Sequence, residues 1–310
     1  MSALDFSTKI GSKRFSNPIF TASGCASSGQ ELSQFFPLSS LGAVVTKSIM
    51  TKPRTGRATP RMAETPSGML NSIGLQGPGI DTFLEKDIPW LIEQQAKIII
   101  SIAGETVDEY GVLARRLRAL TGISAVEVNI SCPNVENRGQ VFACHPDTAV
   151  AVIESVRRNI GGELPIIAKL SPDVTDIVEI ASAVINAGVD GLALINTLLG
   201  MVIDTNSMRP KLAGKTGGLS GPAIRPVAVR AIYQVHQAFP NTPIVGMGGV
   251  ASGRDAFELI LAGASAVSVG TATFGNPNAA MQIKDELSQL LTKNGFNDFR
   301  DAIGFAHRGI

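Results

Sequence analysis

Short apolar runs rich in β-branched residues recur along the chain, each followed by an amphipathic stretch of helical length. Eight such runs cover residues 19–22, 43–46, 97–102, 125–129, 165–169, 191–195, 243–247 and 266–269. Their apolarity is continuous rather than alternating, as parallel strands buried on both faces require. Helical periodicity fills the intervals at 107–120, 149–160, 176–187, 227–239 and 254–262. Glycine follows two of these helices just before the next strand, in Ala187-Gly188 and Ala262-Gly263, where a left-handed cap suits it. Alternating strands and helices imply a parallel sheet, either open and doubly wound or closed. Eight repeats favour closure, so the expected fold is α/β, a (β/α)8 TIM barrel. The rhythm breaks at 50–79 and around 198–221, in Gly/Pro-rich stretches longer than ordinary connections, which predicts elaborated active-site loops. At about 150 residues per domain the length suggests two domains, but barrels of this size run as one. No linker or shift of composition divides the chain, so residues 1–310 are expected to form a single domain.

Composition narrows the class of function. Hydrophobic residues make up 44% and charged residues 17%, enough for a large core and unlike a disordered chain or a coiled coil. A net charge of +1 without a basic stripe argues against a nucleic-acid partner. The three cysteines, Cys25, Cys132 and Cys144, are odd in number and show no paired spacing, which suits a reducing compartment. They also fall short of the four thiolates of an ordinary iron–sulfur cluster. The start of the chain lacks the pattern of a signal peptide, and no apolar stretch reaches membrane-spanning length. A cytoplasmic protein without a membrane partner is expected.

In a barrel, chemistry collects at the carboxyl ends of the strands. Those ends read Ser23-Gly24, Lys47-Ser48, Ser101, Asn129 to Asn134, Lys169, Asn196-Thr197, Gly248-Gly249 and Gly270-Thr271. Turns are polar in any protein, which accounts for part of this set. It does not account for two lysines emerging directly from apolar runs, because a buried cation needs a partner. The glycines after the seventh and eighth runs suit a phosphate, since backbone N–H groups there approach an anion unhindered. Gly246-Met247-Gly248-Gly249-Val250-Ala251 loosely matches a dinucleotide fingerprint, but the acidic residue expected at the end of the next strand is missing, so no NAD site is read here. Cys132, between asparagines and followed by a proline, has the surroundings of a nucleophile or general base. Cys25 and Cys144 read as core or loop residues. His145, His236 and His307 lack the spacing of a metal set, and the carboxylates are unclustered, so no metal site is expected. Acid–base work is left to Cys132, Lys47 or Lys169.

Five segments carry a resemblance: Asn71-Ser72-Ile73-Gly74-Leu75, Asn129-Ile130-Ser131-Cys132-Pro133-Asn134, Ile195-Asn196-Thr197, Gly217-Gly218-Leu219-Ser220-Gly221-Pro222 and Gly246-Met247-Gly248-Gly249. In order and spacing the chain resembles the class 1 dihydroorotate dehydrogenases over nearly its whole length. Ile195 to Leu198 and Thr216 to Pro222 look like the NAD-linked 1B branch. The resemblance implies FMN across the barrel mouth, its phosphate at Gly248, Gly249, Gly270 and Thr271. Ser23, Lys47, Ser48, Asn129, Lys169, Ile195 and Gly221 match the family's other flavin contacts. Dihydroorotate would be held by Lys47, Asn129, Asn134, Asn196, Thr197 and the segment Asn71, Ser72, Ile73, Gly74 and Leu75. Cys132 would take the C5 proton as C6 passes hydride to flavin N5, giving orotate. One departure lies in Ile100-Ser101-Ile102-Ala103-Gly104, where serine stands for the family's usual asparagine. Ser101 is expected as a weaker flavin contact, with water filling the gap.

The 1B resemblance also implies a partner subunit carrying FAD and a [2Fe–2S] cluster, and a homodimer of this chain within an assembly of two catalytic and two electron-transfer chains. Other readings make different demands. A 1A-type enzyme would pass electrons directly to fumarate. An aldolase on the same barrel would use Lys169 for a Schiff base and purify colourless. A non-catalytic flavin-binding barrel would leave Cys132 without a task.

Overall fold

The apolar runs become eight parallel strands. In the computed structural model, which describes residues 4–131, 144–162 and 164–309, they are β1 (Ile19–Thr21), β2 (Val44–Val45), β3 (Ile98–Ile102), β4 (Ile123–Asn129), β5 (Ile166–Lys169), β6 (Gly191–Leu194), β7 (Ile244–Met247) and β8 (Ala266–Val269). Each strand pairs with its neighbours in chain order, and β8 pairs with β1. A parallel bridge between Phe20 and Ala43 closes the remaining seam. Thr21 reinforces it: its Oγ accepts from the Val45 N–H at 2.8 Å and its hydroxyl donates to the Val45 carbonyl at 3.1 Å. The closed parallel barrel expected from the repeats is the fold observed.

Helices follow the strands: α1 (Val107–Leu117), α2 (Pro146–Ile160), α3 (Ile177–Asn186), α4 (Arg225–Ala238), α5 (Gly253–Ala262) and α6 (Ala279–Lys293). The sequence sets several of their starts. Thr106, Asp176 and Ser252 each accept a hydrogen bond from a backbone N–H in the first turn. The first two connections depart from the repeat. Between β1 and β2 the chain makes two single 3-10 turns, Leu32–Gln34 and Leu38–Ser40. Between β2 and β3 a π-helical turn, Phe83–Asp87, precedes Pro89, which has no N–H to continue an α-helical ladder.

Period two sorts the strand residues. Outward Ile98, Ile100, Val126, Val128, Leu192, Leu194 and Val267 join the helices in the main core. Inward Phe20, Val45, Ile99, Ala125, Ile167, Ala193, Val245 and Ala266 form a second core inside the barrel. A hairpin of Thr8–Ile10 and Lys13–Phe15 adds Ile10 and Phe15 to that inner core, stoppering the barrel at the amino ends of the strands. Two residues further along, the inward positions turn polar: Ser101, Glu127, Lys169 and Ser268 are all buried.

The two irregular loops are not separate. Leu198–Met201, Thr216–Ser220, Gly68–Asn71 and Met62–Thr65 pair in that order into one four-stranded antiparallel sheet. Glycine permits the close approach: a Cβ on Gly68 would stand 2.0 Å from the Ser220 carbonyl oxygen, and one on Gly218 would stand 2.0 Å from Thr197 Oγ1. Among the described residues no helix is long and apolar enough to cross a membrane.

Candidate active site

The strand ends and the antiparallel sheet enclose a cavity of about 560 Å³, a size suited to a small-molecule cofactor. Ser23, Lys47, Ser48, Asn129, Lys169, Ile195, Asn196 and Thr197 reach it from the strand ends. Gly221, Gly248, Gly249, Gly270 and Thr271 line it from turns, and Asn71, Ile73 and Leu75 from the loop that carries the sheet. These are residues singled out from the sequence, drawn together from positions far apart in the chain.

Three others stand behind the wall. Ser72 is fully buried and accepts a hydrogen bond from Arg57 at 3.0 Å, so it braces the loop. Gly74 has φ +79, and a Cβ there would lie 2.7 Å from the Arg57 backbone nitrogen, so it turns the loop. Ser101 lies beneath Ser48, with the two hydroxyl oxygens 2.9 Å apart. Cys132 and Asn134 lie outside the described residues.

Lys169 is the buried cation of the site, its side chain 5% exposed. Its Nζ donates to Ser23 Oγ at 2.8 Å and faces Glu127 Oε1 at 3.7 Å. Sequence reasoning missed Glu127 because its run was read as continuously apolar. The signal was present: an acid at the centre of a strand buried on both faces demands a cationic partner. Cys25, read from the sequence as a core or loop residue, also lines the cavity. Burial pushes its thiol above the ordinary cysteine value, and nearby Lys169 and Lys47 oppose that rise.

Amides and hydroxyls fix one another around the mouth. Asn196 Nδ2 donates to Ser131 Oγ at 2.8 Å, Asn129 Nδ2 donates to Ser48 Oγ at 2.9 Å, and the Thr271 hydroxyl donates to Ser220 Oγ at 2.8 Å. The last bond ties the end of β8 to the antiparallel sheet. Ser268 is different: its Oγ is buried in the wall with no hydrogen-bond partner among the described residues. At the end of β7, Gly248 and Gly249 have φ +128 and +74, and a Cβ on Gly249 would lie 2.9 Å from the Gly221 carbonyl oxygen. Among the described residues no cluster of three or more His, Cys, Asp or Glu side chains has the arrangement of a metal site.

Known proteins share this chain's sequence and fold. The family model described as dihydroorotate dehydrogenase matches residues 5–291. A protein of Desulforudis audaxviator (strain MP104C), named dihydroorotate dehydrogenase B (NAD(+)), catalytic subunit, is 51% identical over 292 residues, covering 94% of each chain. A protein of the same name from Desulforamulus reducens is 50% identical over 304 residues, covering 98% of this chain and 99% of its own. Among solved structures, the dihydroorotate dehydrogenase of Eimeria tenella in complex with ferulenol superposes with a TM-score of 0.82 at 24% identity, over 98% of this chain and 89% of that one, a likeness of fold. With half its residues shared across the whole barrel and the family model spanning strands and site alike, the chain belongs to the dihydroorotate dehydrogenase family.

Proposed function

We propose that this chain is the FMN-dependent catalytic subunit that oxidises (S)-dihydroorotate to orotate in de novo pyrimidine biosynthesis in the cytoplasm. The observation that carries this reading is the cavity wall, where Lys47 and Lys169 converge with Asn71, Asn129, Asn196 and Thr197 at one barrel mouth. The wall suits FMN. Gly248, Gly249 and Gly270 line the cavity, where backbone N–H groups can meet a phosphate, and Ser268 offers a buried hydroxyl with no partner among the described residues. When bound, FMN supplies the hydride acceptor.

The chain's own residues supply the rest. Ser23, Ser48, Ile195, Gly221 and Thr271 frame the cofactor, and Lys169 places its charge where negative charge grows on reduction. Ser101 contributes from behind Ser48 rather than from the wall itself. Lys47 meets the substrate carboxylate, while the amides of Asn71, Asn129, Asn134 and Asn196 and the Thr197 hydroxyl match the ring's alternating C=O and N–H groups. Ile73 and Leu75 close over it, with Ser72 and Gly74 shaping their loop. Cys132 Sγ takes the C5 proton. Cys25 is the less suitable thiol for that task, because burial pushes it above the ordinary cysteine value and so disfavours the thiolate.

Electrons then leave toward NAD. Three cysteines do not make a cluster, so a separate subunit carries FAD and [2Fe–2S], joined to a homodimer of this chain. The Schiff-base reading of Lys169 loses ground to the family match, which spans the strands and the site. The test is anaerobic. Dihydroorotate is added to the yellow purified chain, and the flavin bleaches. NAD alone restores the colour poorly until the partner subunit is supplied. Cys132→Ala keeps the flavin but slows bleaching at neutral pH by roughly 10²–10⁴-fold, the usual worth of a general base. A colourless chain that takes up no FMN overturns the proposal, and rapid recolouring by fumarate alone replaces its NAD-linked half.

A further inference from the structure

Beneath the cavity a line of hydrogen bonds has one direction. The Ser101 hydroxyl donates its single hydrogen to Glu127 Oε1 at 2.8 Å. Ser48, 2.9 Å from Ser101, therefore has to be the donor between those two hydroxyls. Ser48 Oγ in turn accepts from Asn129 Nδ2, so the amide of Asn129 cannot be turned round without setting oxygen against oxygen. That leaves Asn129 Oδ1 to accept from the Ser131 hydroxyl at 3.2 Å, and Ser131 Oγ to accept from Asn196 Nδ2 at 2.8 Å. Every link runs toward one buried carboxylate, which is also 3.7 Å from the ammonium of Lys169.

We propose that Glu127 is a positioning residue for the redox step: its charge offsets Lys169 at the cavity wall, and its acceptor oxygen sets which way Ser48 and Asn129 face their ligands. The proposal rests on the reading of the cavity as an FMN site. Two-electron reduction with uptake of one proton leaves the bound cofactor one unit more negative. The net charge beside it therefore sets the midpoint potential. Lys169 alone would favour the reduced form strongly, and Glu127 moderates it. Ser48, its hydrogen committed downward, meets the cofactor as an acceptor.

The experiment measures the midpoint potential of bound FMN, and the affinity of the apoprotein for FMN, in four variants. Glu127→Gln keeps the shape and an acceptor for Ser101 but removes the charge, so the potential rises. Lys169→Met lowers it. Glu127→Gln combined with Lys169→Met removes the pair as a unit and brings the potential back up toward the native value, which preserves the test if the single Gln variant does not fold. Ser101→Ala cuts the hydrogen-bond line but keeps the ion pair, so FMN affinity falls severalfold while the potential stays. A carboxylate that merely packs would be replaced by Gln without moving the potential. An unmoved or lowered potential in Glu127→Gln, or a double variant no higher than Lys169→Met, overturns the role. A native apoprotein that takes up no FMN removes the flavin reading itself, and this role with it.

Discussion

Ser268 and Glu127 occupy equivalent inward positions on their strands, yet the protein treats them oppositely. Glu127 is tied to Ser101 and Lys169, whereas the Ser268 hydroxyl is buried and has no partner among the described residues. An unsatisfied buried hydroxyl costs folding stability, so its removal should not harm the apoprotein. Ser268→Ala is expected to leave the melting temperature of the FMN-free chain unchanged or higher, while weakening FMN affinity by roughly three- to tenfold, the worth of one hydrogen bond. Calorimetry of the apoprotein and a fluorescence titration with FMN check both halves. A loss of stability without a loss of affinity would show that the hydroxyl serves the fold. Of the side chains that matter here, Lys47 and Lys169 were legible because a lysine leaving an apolar run is conspicuous. Glu127 was less so: it stands between two valines, and a run is easily read by its majority. Ser101 was legible as an oddity, but its place beneath Ser48 was not, since which of two stacked hydroxyls lines a cavity depends on how the chain is threaded past its neighbours, which a sequence does not display.

Among elements, strands that bury both faces announce themselves through unbroken apolarity, so β1 to β8 fall within a few residues of their expected places. Helix caps such as Thr106, Asp176 and Ser252 are local and equally readable. The antiparallel sheet was not. Its strands are part-exposed, rich in glycine, and paired across a separation such as Asn71 to Gly218, so neither apolar runs nor a short turn marks the pairing. Its dependence on small residues makes it testable. Gly68→Ala drives a Cβ into the Ser220 carbonyl and is expected to destabilise the chain by about 1–3 kcal/mol, the usual cost of forcing extra volume into a packed contact. It should also raise the KM for dihydroorotate, because Asn71 ends the same strand. Urea unfolding and steady-state kinetics would register the two effects. A Gly68→Ala protein with native stability and native KM would mean that the sheet does not position Asn71.

For the molecule as a whole, acid sensitivity has an identifiable contributor remote from the chemistry. The ring of His236 is packed near His307, which stacks on Tyr233 and lies 3.0 Å from the Ala262 carbonyl through its Nε2. Burial, aided by His307, holds His236 below the ordinary histidine value of 6.5. The folded chain thus binds this proton less readily than the unfolded chain. The stability it contributes is complete above pH 6.5 and is lost as pH falls from there toward the lower folded value. Melting temperatures recorded between pH 7.5 and 5.5 should decline, and His236→Gln should flatten that decline. An identical slope in the variant would assign the acid sensitivity elsewhere.

The hairpin that sets Ile10 and Phe15 into the foot of the barrel has a consequence for traffic. With the floor packed shut, the mouth serves as both entrance and exit, and occupants have to queue. Whatever seats deepest arrives first and departs last, so a cofactor lying below a substrate is trapped for as long as the substrate stays. Saturating orotate should therefore slow the escape of FMN simply by standing in its way out.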